Sequence, residues 1–448
     1  MKPYYKSKNV TIYHSRCIPA MMSLPRNSVD SIVTDPPYAL KQNKKSKVGF
    51  MGKAWDGAVP GVPHWKAALR AAKPGAMLFA FGGTRTHHRL MCAIEDAGWI
   101  IRDVMMWVYG QGRPAGMDIG KAIDRASGAT RKTVGRRLRP DGTDRDPQKT
   151  SGPGNVLSDS VDGSLNSNEY KRVLTAPATP EAKPWDGYNT TLKPAWEPII
   201  LAMKPLDGTF AQNAQKWGVA GLWIDGCRVG VTKNVPASVS RTAGNSLCGS
   251  VDGSLRRETG QESGHNPNIG RYPSNLVHDG SPDVLALFPN SKGQLAPART
   301  DGSQKHNSVY GAGFTHTTPH IPRVESDKSA ARFFYCSKAP KRERWIYCSI
   351  CNDSFPSKER KAHRHNLDNW KHTFSHPTQK PLSLMRYLCR LSRTPTESVV
   401  LDPFMGSGST LIAAVDERRR VIGIDMDLNS CRVAAKRIEA HLQQGEKT

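Results

Sequence analysis

The sequence predicts an α/β fold with its chemistry carried at strand ends. Three observations support this: β-patterned and helix-patterned stretches alternate over residues 9–110, one β-run ends on Asp35-Pro36-Pro37-Tyr38, and a second ends on Asp402-Pro403-Phe404-Met405-Gly406-Ser407-Gly408-Ser409-Thr410.

Residues 29–34, mainly β-formers, lead into the proline pair and place the first motif at a strand end. A helix is expected over 62–72, ended by Lys73-Pro74-Gly75, then a strand over 76–81, a helix over 86–97 and a strand over 99–108. Near the other end, 398–401 reads as a buried strand, the glycines as a tight loop, 410–415 as the start of a helix, and 421–424 as a strand ending at Asp425. A glycine loop of this kind brings backbone N–H groups close to a ligand, and an acid after the next strand can grip ribose hydroxyls. Two prolines remove two backbone donors, which leaves the carbonyls of Asp35 and Pro36 free to accept. An exocyclic amine suits such a site: one proton goes to the Asp35 carboxylate and one to the Pro36 carbonyl, with Tyr38 stacking on the ring that bears the amine. Read alone, the Asp-Pro-Pro-Tyr run is equally a tight turn. Its pairing with the glycine loop favours the chemical reading.

The 448 residues carry 64 Lys+Arg against 39 Asp+Glu, a formal charge of +25, which favours a polyanionic partner. No apolar stretch reaches the roughly eighteen residues of a membrane span, and no leader is visible, so a soluble cytoplasmic protein with no membrane partner is expected. Nine scattered cysteines fit a reducing compartment better than a disulfide framework.

Composition divides the chain. Residues 1–110 are α/β in pattern, 111–190 read as a loop-rich basic insertion, 191–205 as a return strand, and 206–330 as a region short on periodicity. Within 331–375, Cys348 and Cys351 form a Cys-x2-Cys knuckle followed by His363 and His372, a spacing that suits four ligands around a structural zinc ion. The run also looks like a matrin-type zinc finger. Cys336 and His376 are nearby competitors, and free cysteines beside surface histidines are the alternative.

On these motifs the chain resembles the DNA amino-methyltransferases that use S-adenosylmethionine, in the β arrangement, where the catalytic motif precedes the cofactor motif. Further matches are 69–81 (LRAAKPGAMLFAF), the strand ending in Met106-Trp107, 198–204 (PIILAMK), and the run His376-Pro377-Thr378-Gln379-Lys380-Pro381. The phrases WDG at 55–57, FGGTRTHHRL at 81–90, NLVHDGS at 275–281 and RFFYCSKAPKRER at 332–344 look like site-specific methylases of phages and prophages. The resemblance implies a Rossmann-like methyltransferase fold with a seven-stranded mixed sheet and permuted motif order. Residues 1–110 would be its catalytic half, 376–448 its cofactor half, and 206–330 its target-recognition region. It implies catalysis by Asp35, Pro36, Pro37 and Tyr38, and cofactor contacts at Asp402, Phe404, Gly406, Ser407, Gly408, Asp425, His376, Thr378 and Lys380. The implied reaction is methyl transfer to N6 of an adenine flipped out of double-stranded DNA. Cytosine N4 and an inactive DNA-binding regulator are the alternatives, and the resemblance also admits a homodimer and a separate restriction endonuclease. The chain departs from the family at Ser15-Arg16-Cys17, where an acid usually touches the cofactor adenine.

Overall fold

All six residues of the strand Val29–Thr34 are buried, which requires a strand inside a sheet covered on both faces. The computed structural model describes residues 1–39, 57–110, 112, 116–136, 173–229, 272–288, 330–336, 345–348, 353–356, 373–374 and 379–445. In chain order its strands are β1 (Tyr5–Lys6), β2 (Val10–His14), β3 (Val29–Thr34), β4 (Ala72–Phe81), β5 (Ile100–Val108), β6 (Thr133–Arg136), β7 (Val173–Thr175), β8 (Trp196–Met203), β9 (Leu276–His278), β10 (Tyr335–Cys336), β11 (Trp345–Cys348), β12 (Asp353–Pro356), β13 (Thr373–Phe374), β14 (Val399–Asp402) and β15 (Arg420–Asp425). The helices are α1 (Cys17–Ser23), α2 (Val62–Ala71), α3 (His87–Asp96), α4 (Ile119–Ala126), α5 (Phe210–Trp217), α6 (Pro282–Leu285), α7 (Leu382–Leu391), α8 (Ser409–Asp416) and α9 (Leu428–Gly445).

The main sheet runs β1-β2-β15-β14-β3-β4-β8-β5-β9-β10. Among the described residues it therefore has ten strands where seven were expected. The inner run from β2 to β5 supplies seven, and short β1, β9 and β10 extend the edges by pairing with β2, β5 and β9. Strands β2, β15, β14, β3 and β4 pair in parallel, whereas β8 is antiparallel to both β4 and β5, so the sheet is mixed as expected. One face buries Leu384 and Leu388 of α7, Leu411 and Ile412 of α8, and Cys431 and Ile438 of α9. The other buries Met21 of α1, Trp65 and Ala68 of α2, and Leu90 and Ile94 of α3. Sequence halves far apart in the chain thus share one sheet, joined where β14 meets β3.

Two expectations change. The helix–strand break at Lys73-Pro74-Gly75 is not a loop: α2 ends at Ala71 and β4 begins at Ala72. The pairing of β3 with β4 skips from Val29↔Ala72 to Ser31↔Met77, so Pro74, which lacks a donor, and Gly75, at φ 79°, sit in a bulge. The insertion after β5 is also more ordered than its composition suggests in its described part. Helix α4 is capped by Asp118, which accepts from Lys121 N at 3.0 Å, and β6 pairs with β7. Asp124, 1% exposed, holds this region together by accepting from Arg131 Nη1, Ala178 N, Thr179 N and Thr179 Oγ1 at 2.8–3.0 Å. Strands β12-β11-β13 form a small antiparallel sheet that lies against α9. Among the described residues no helix is long and apolar enough to cross a membrane.

Candidate active site

Strand β14 passes on to β15 on one side and β3 passes on to β4 on the other, so the carboxyl ends of β14 and β3 flank a switch point, where open α/β sheets bind ligands. Both predicted motifs meet there. Thr34, the last residue of β3, donates its hydroxyl to Asp402 Oδ1 at 2.6 Å. Asp402 also accepts from Thr410 Oγ1 and, at 3.1 Å, from Phe404 N. Burial pushes its carboxyl up to about 6 despite these donors, and the charge of Asp35 adds to the rise. Asp402 is consumed inside the protein, where it joins β3 to the glycine loop.

Past β3, Asp35 lies in a cluster of charged and phenolic groups. Lys380 Nζ is 2.9 Å from Asp35 Oδ2 and 3.1 Å from Glu197 Oε2, and Tyr38 donates its hydroxyl to Asp35 Oδ1 at 2.8 Å and to Glu197 Oε2 at 3.0 Å. Thr86 fixes the Tyr38 carbonyl at 2.7 Å. Lys380 Nζ also sits 5.1 and 5.0 Å from the ring centres of Tyr38 and Phe81. Burial alone would lower the Lys380 ammonium, but the two carboxylates outweigh it and hold the group above the usual lysine range. Burial, then the charges of Asp35 and Glu197, push the Tyr38 phenol well up. Tyr109 is pushed up to about 12 by burial and by Glu197, with which it is hydrogen-bonded. Pro36 is buried and Pro37 half-buried.

The glycine loop forms the second part of the site. Gly406 and Gly408 have φ of 50° and 80°, and a Cβ on Gly408 would lie 2.9 Å from Ala434 Cβ of α9. Ser407 is buried and receives the Arg437 guanidinium on its hydroxyl at 3.1 Å and on its carbonyl. Gly406 N donates to Asp425 Oδ2 at 2.9 Å, and Asp427 N donates to Asp425 Oδ1 at 2.8 Å. Burial nevertheless pushes Asp425 up to about 7. Phe404 is half-buried, its ring 6.3 Å from His64 and 6.4 Å from Trp65. A half-buried acid, an aromatic ring and a close-packed glycine loop at adjacent strand ends fit a nucleoside-bearing cofactor. Arg16 is exposed just ahead of α1.

The structure brings together Asp35, Pro36, Pro37, Tyr38 and Lys380, and separately Asp402, Phe404, Gly406, Ser407, Gly408 and Asp425. Lys380, grouped by resemblance with the cofactor contacts, stands between Asp35 and Glu197. His376 and Thr378 lie outside the described residues, as do Cys351, His363 and His372. Cys348, the described member of the zinc set, is buried at the end of β11, and among the described residues no group of three or more His, Cys, Asp or Glu is arranged to hold a metal. Glu197, Tyr109 and Arg437 escaped the sequence reading. Glu197 alone left a signal: an acid at the head of the otherwise apolar strand Trp-Glu-Pro-Ile-Ile-Leu-Ala-Met.

A family described as DNA methylase, N6_N4_Mtase, matches residues 294–436, which include the glycine loop and Asp425. The chain resembles the DNA methyltransferases. It is 33% identical over 129 residues to Type II methyltransferase M2.DpnII of Streptococcus pneumoniae, covering 28% of this chain and 44% of that protein. It is 41% identical over 81 residues to putative methylase YubD of Escherichia coli, covering 17% and 35% of the two. To DNA adenine methyltransferase YhdJ, also of Escherichia coli, it is 33% identical over 76 residues, covering 17% and 24%. The chain thus spans less than half the length of each of these relatives.

Proposed function

We propose that this chain transfers a methyl group from S-adenosylmethionine to the exocyclic N6 of an adenine flipped out of double-stranded DNA. The observation that carries the reading is the Thr34–Asp402 hydrogen bond, which sets the amine-accepting motif beside the glycine loop at one switch point. S-adenosylmethionine supplies, when bound, a methyl group on a positively charged sulfur. Phe404, Gly406, Gly408 and Asp425 are the described residues that would hold it.

The chain's own part is to present the amine. A base amine is a poor nucleophile because its lone pair is delocalised into the ring, so orientation and polarisation matter more than proton removal. Asp35 accepts one amine proton and the Pro36 carbonyl the other. Neither Pro36 nor Pro37 has an N–H to compete for those acceptors. The Tyr38 ring stacks on the flipped base and offsets part of the stacking lost on leaving the duplex. Its tethered hydroxyl and carbonyl keep that ring in place before the base arrives. Positive charge developing on the attacking nitrogen, as its bond to the methyl carbon forms and the carbon–sulfur bond breaks, faces two carboxylates and one ammonium, a net charge that favours it.

Mass spectrometry of nucleosides from DNA of a methylation-deficient host expressing this chain tests the reading, with Asp35→Ala as control. N6-methyladenine that depends on Asp35 is the expected result. N4-methylcytosine would keep the mechanism and change the base, since Asp35 and Pro36 accept from either amine. Neither product, with DNA binding intact, would replace the reading by a DNA-binding protein without turnover. Zinc held by Cys348, Cys351, His363 and His372 belongs to the same proposal, as a staple for a small module. Metal analysis of pure protein with and without Cys348→Ser decides it, and no zinc in the unmutated protein would remove it.

A further inference from the structure

We propose that Glu197 is a positioning residue of the methyl-transfer site: with Lys380 it forms a carboxylate–ammonium–carboxylate unit that keeps Asp35 aimed at the amine. The inference rests on the methyl-transfer reading and extends it to a residue that the motifs do not contain.

Lys380 Nζ meets Asp35 Oδ2 at 2.9 Å and Glu197 Oε2 at 3.1 Å, and the three side chains are 7%, 21% and 19% exposed. Two carboxylates that close to one nitrogen repel each other in a partly dry site. Without a cation between them, one would take up a proton, and a protonated Asp35 would lose acceptor strength toward the amine. Lys380 between them offsets that repulsion and holds the two carboxylates side by side. Two negative charges and one positive leave a single net negative charge to face the amine.

Groups from several neighbouring elements face this unit. Tyr38 follows β3 and donates to both carboxylates, Phe81 ends β4 and lies under Lys380, and Tyr109 follows β5 and bonds Glu197. Asp402, at the end of β14, senses the charge of Asp35. Glu197 is the rigid member. It sits in β8 opposite Trp107 of β5, two residues before Ile199, the partner of Phe81 in β4, so strand pairing on both sides fixes where its carboxylate lies. Asp35 and Tyr38, by contrast, lie beyond the end of β3. Glu197 therefore transmits the position of the sheet to Lys380 and Tyr38, which in turn hold Asp35.

The pH dependence of kcat/KM for DNA, measured on the full chain, tests this. In Lys380→Met the acid limb should move up by about one unit or more, because the two carboxylates now share a proton. Adding Glu197→Gln to that variant should move the limb back down, since the second negative charge is gone. Glu197→Gln alone should cost roughly tenfold in rate with little movement of the limb. If all three variants lose rate with the limb unmoved, Glu197 and Lys380 are merely structural and the proposal falls. Carboxyl-carbon NMR titration of the Asp- and Glu-labelled protein reads the same coupling without substrate, and thermal unfolding identifies any variant that fails to fold. Coupled titration in a wild-type protein that transfers no methyl group would keep the charged unit and sink the enzymatic reading. Methyl transfer with uncoupled titration would do the reverse.

Discussion

Asp425 shows how burial sets a residue's working pH. Its carboxyl is pushed up to about 7, so near neutrality it is only partly ionised before a ligand binds. A cationic sulfonium cofactor with ribose hydroxyls binds the ionised form better, so binding must pull a proton off. We expect the affinity for S-adenosylmethionine to rise with pH up to about 7 and level off above it, approaching tenfold per unit well below. Calorimetry in buffers of differing ionisation enthalpy checks this through the proton released at pH 6, and no release would refute it. Thr34 offers a second test. Thr34→Val keeps the shape and removes one donor from the buried Asp402, which should cost about 1–3 kcal/mol in urea unfolding. A loss within about 0.5 kcal/mol would mean that the hydroxyl does not link the two motifs energetically.

At the scale of elements, the glycine loop is shaped by contact with α9. Gly408 combines a positive φ of 80° with a would-be Cβ only 2.9 Å from Ala434 Cβ. Gly408→Ala should therefore destabilise by about 2–4 kcal/mol, the sum of left-handed strain and overpacking, and should weaken cofactor binding. Chemical denaturation and cofactor titration measure the two effects. The insertion depends on one residue in the same way. Asp124 accepts one hydrogen bond from Arg131 and three that tie α4 to Ala178 and Thr179, so Asp124→Ala should expose residues 116–136 to limited proteolysis while β3 and β14 keep their hydrogen-exchange protection. Equal loss of protection in both places would show that the insertion is part of the core's cooperative unit.

For the whole molecule, the excess of 64 basic over 39 acidic residues would, on the proposed function, make the affinity for DNA a function of salt. If six to ten phosphates are contacted, the logarithm of the binding constant should fall against that of the salt concentration with a slope of about −5 to −9. A slope near zero would mean that the charge is a solubilising surface. The sheet explains how distant motifs act together: β14 and β15 from one end of the chain are inserted between β2 and β3 from the other, which brings the acceptor and the glycine loop to one edge.

The amino-acid sequence alone determined the local features: β-runs that lead into Asp35 and Asp402, glycines where the loop turns tightly, and Asp425 at the end of the following strand. Each depends on residues a few positions apart, where propensity and spacing act directly. Tertiary structure decided the rest. Tyr38 reaches Glu197 across 159 positions, and Lys380 reaches both Asp35 and Glu197 from another part of the chain, contacts that no local pattern encodes. The edge strands β1, β9 and β10, two or three residues each, are too short for a period to register, and only pairing with a neighbour makes them strands. Helix α4 was hidden by the polar composition of its surroundings because a single buried carboxylate organises them. Side-chain periodicity reports which face of an element is buried, whereas the charge balance of a site depends on which ends the sheet brings together.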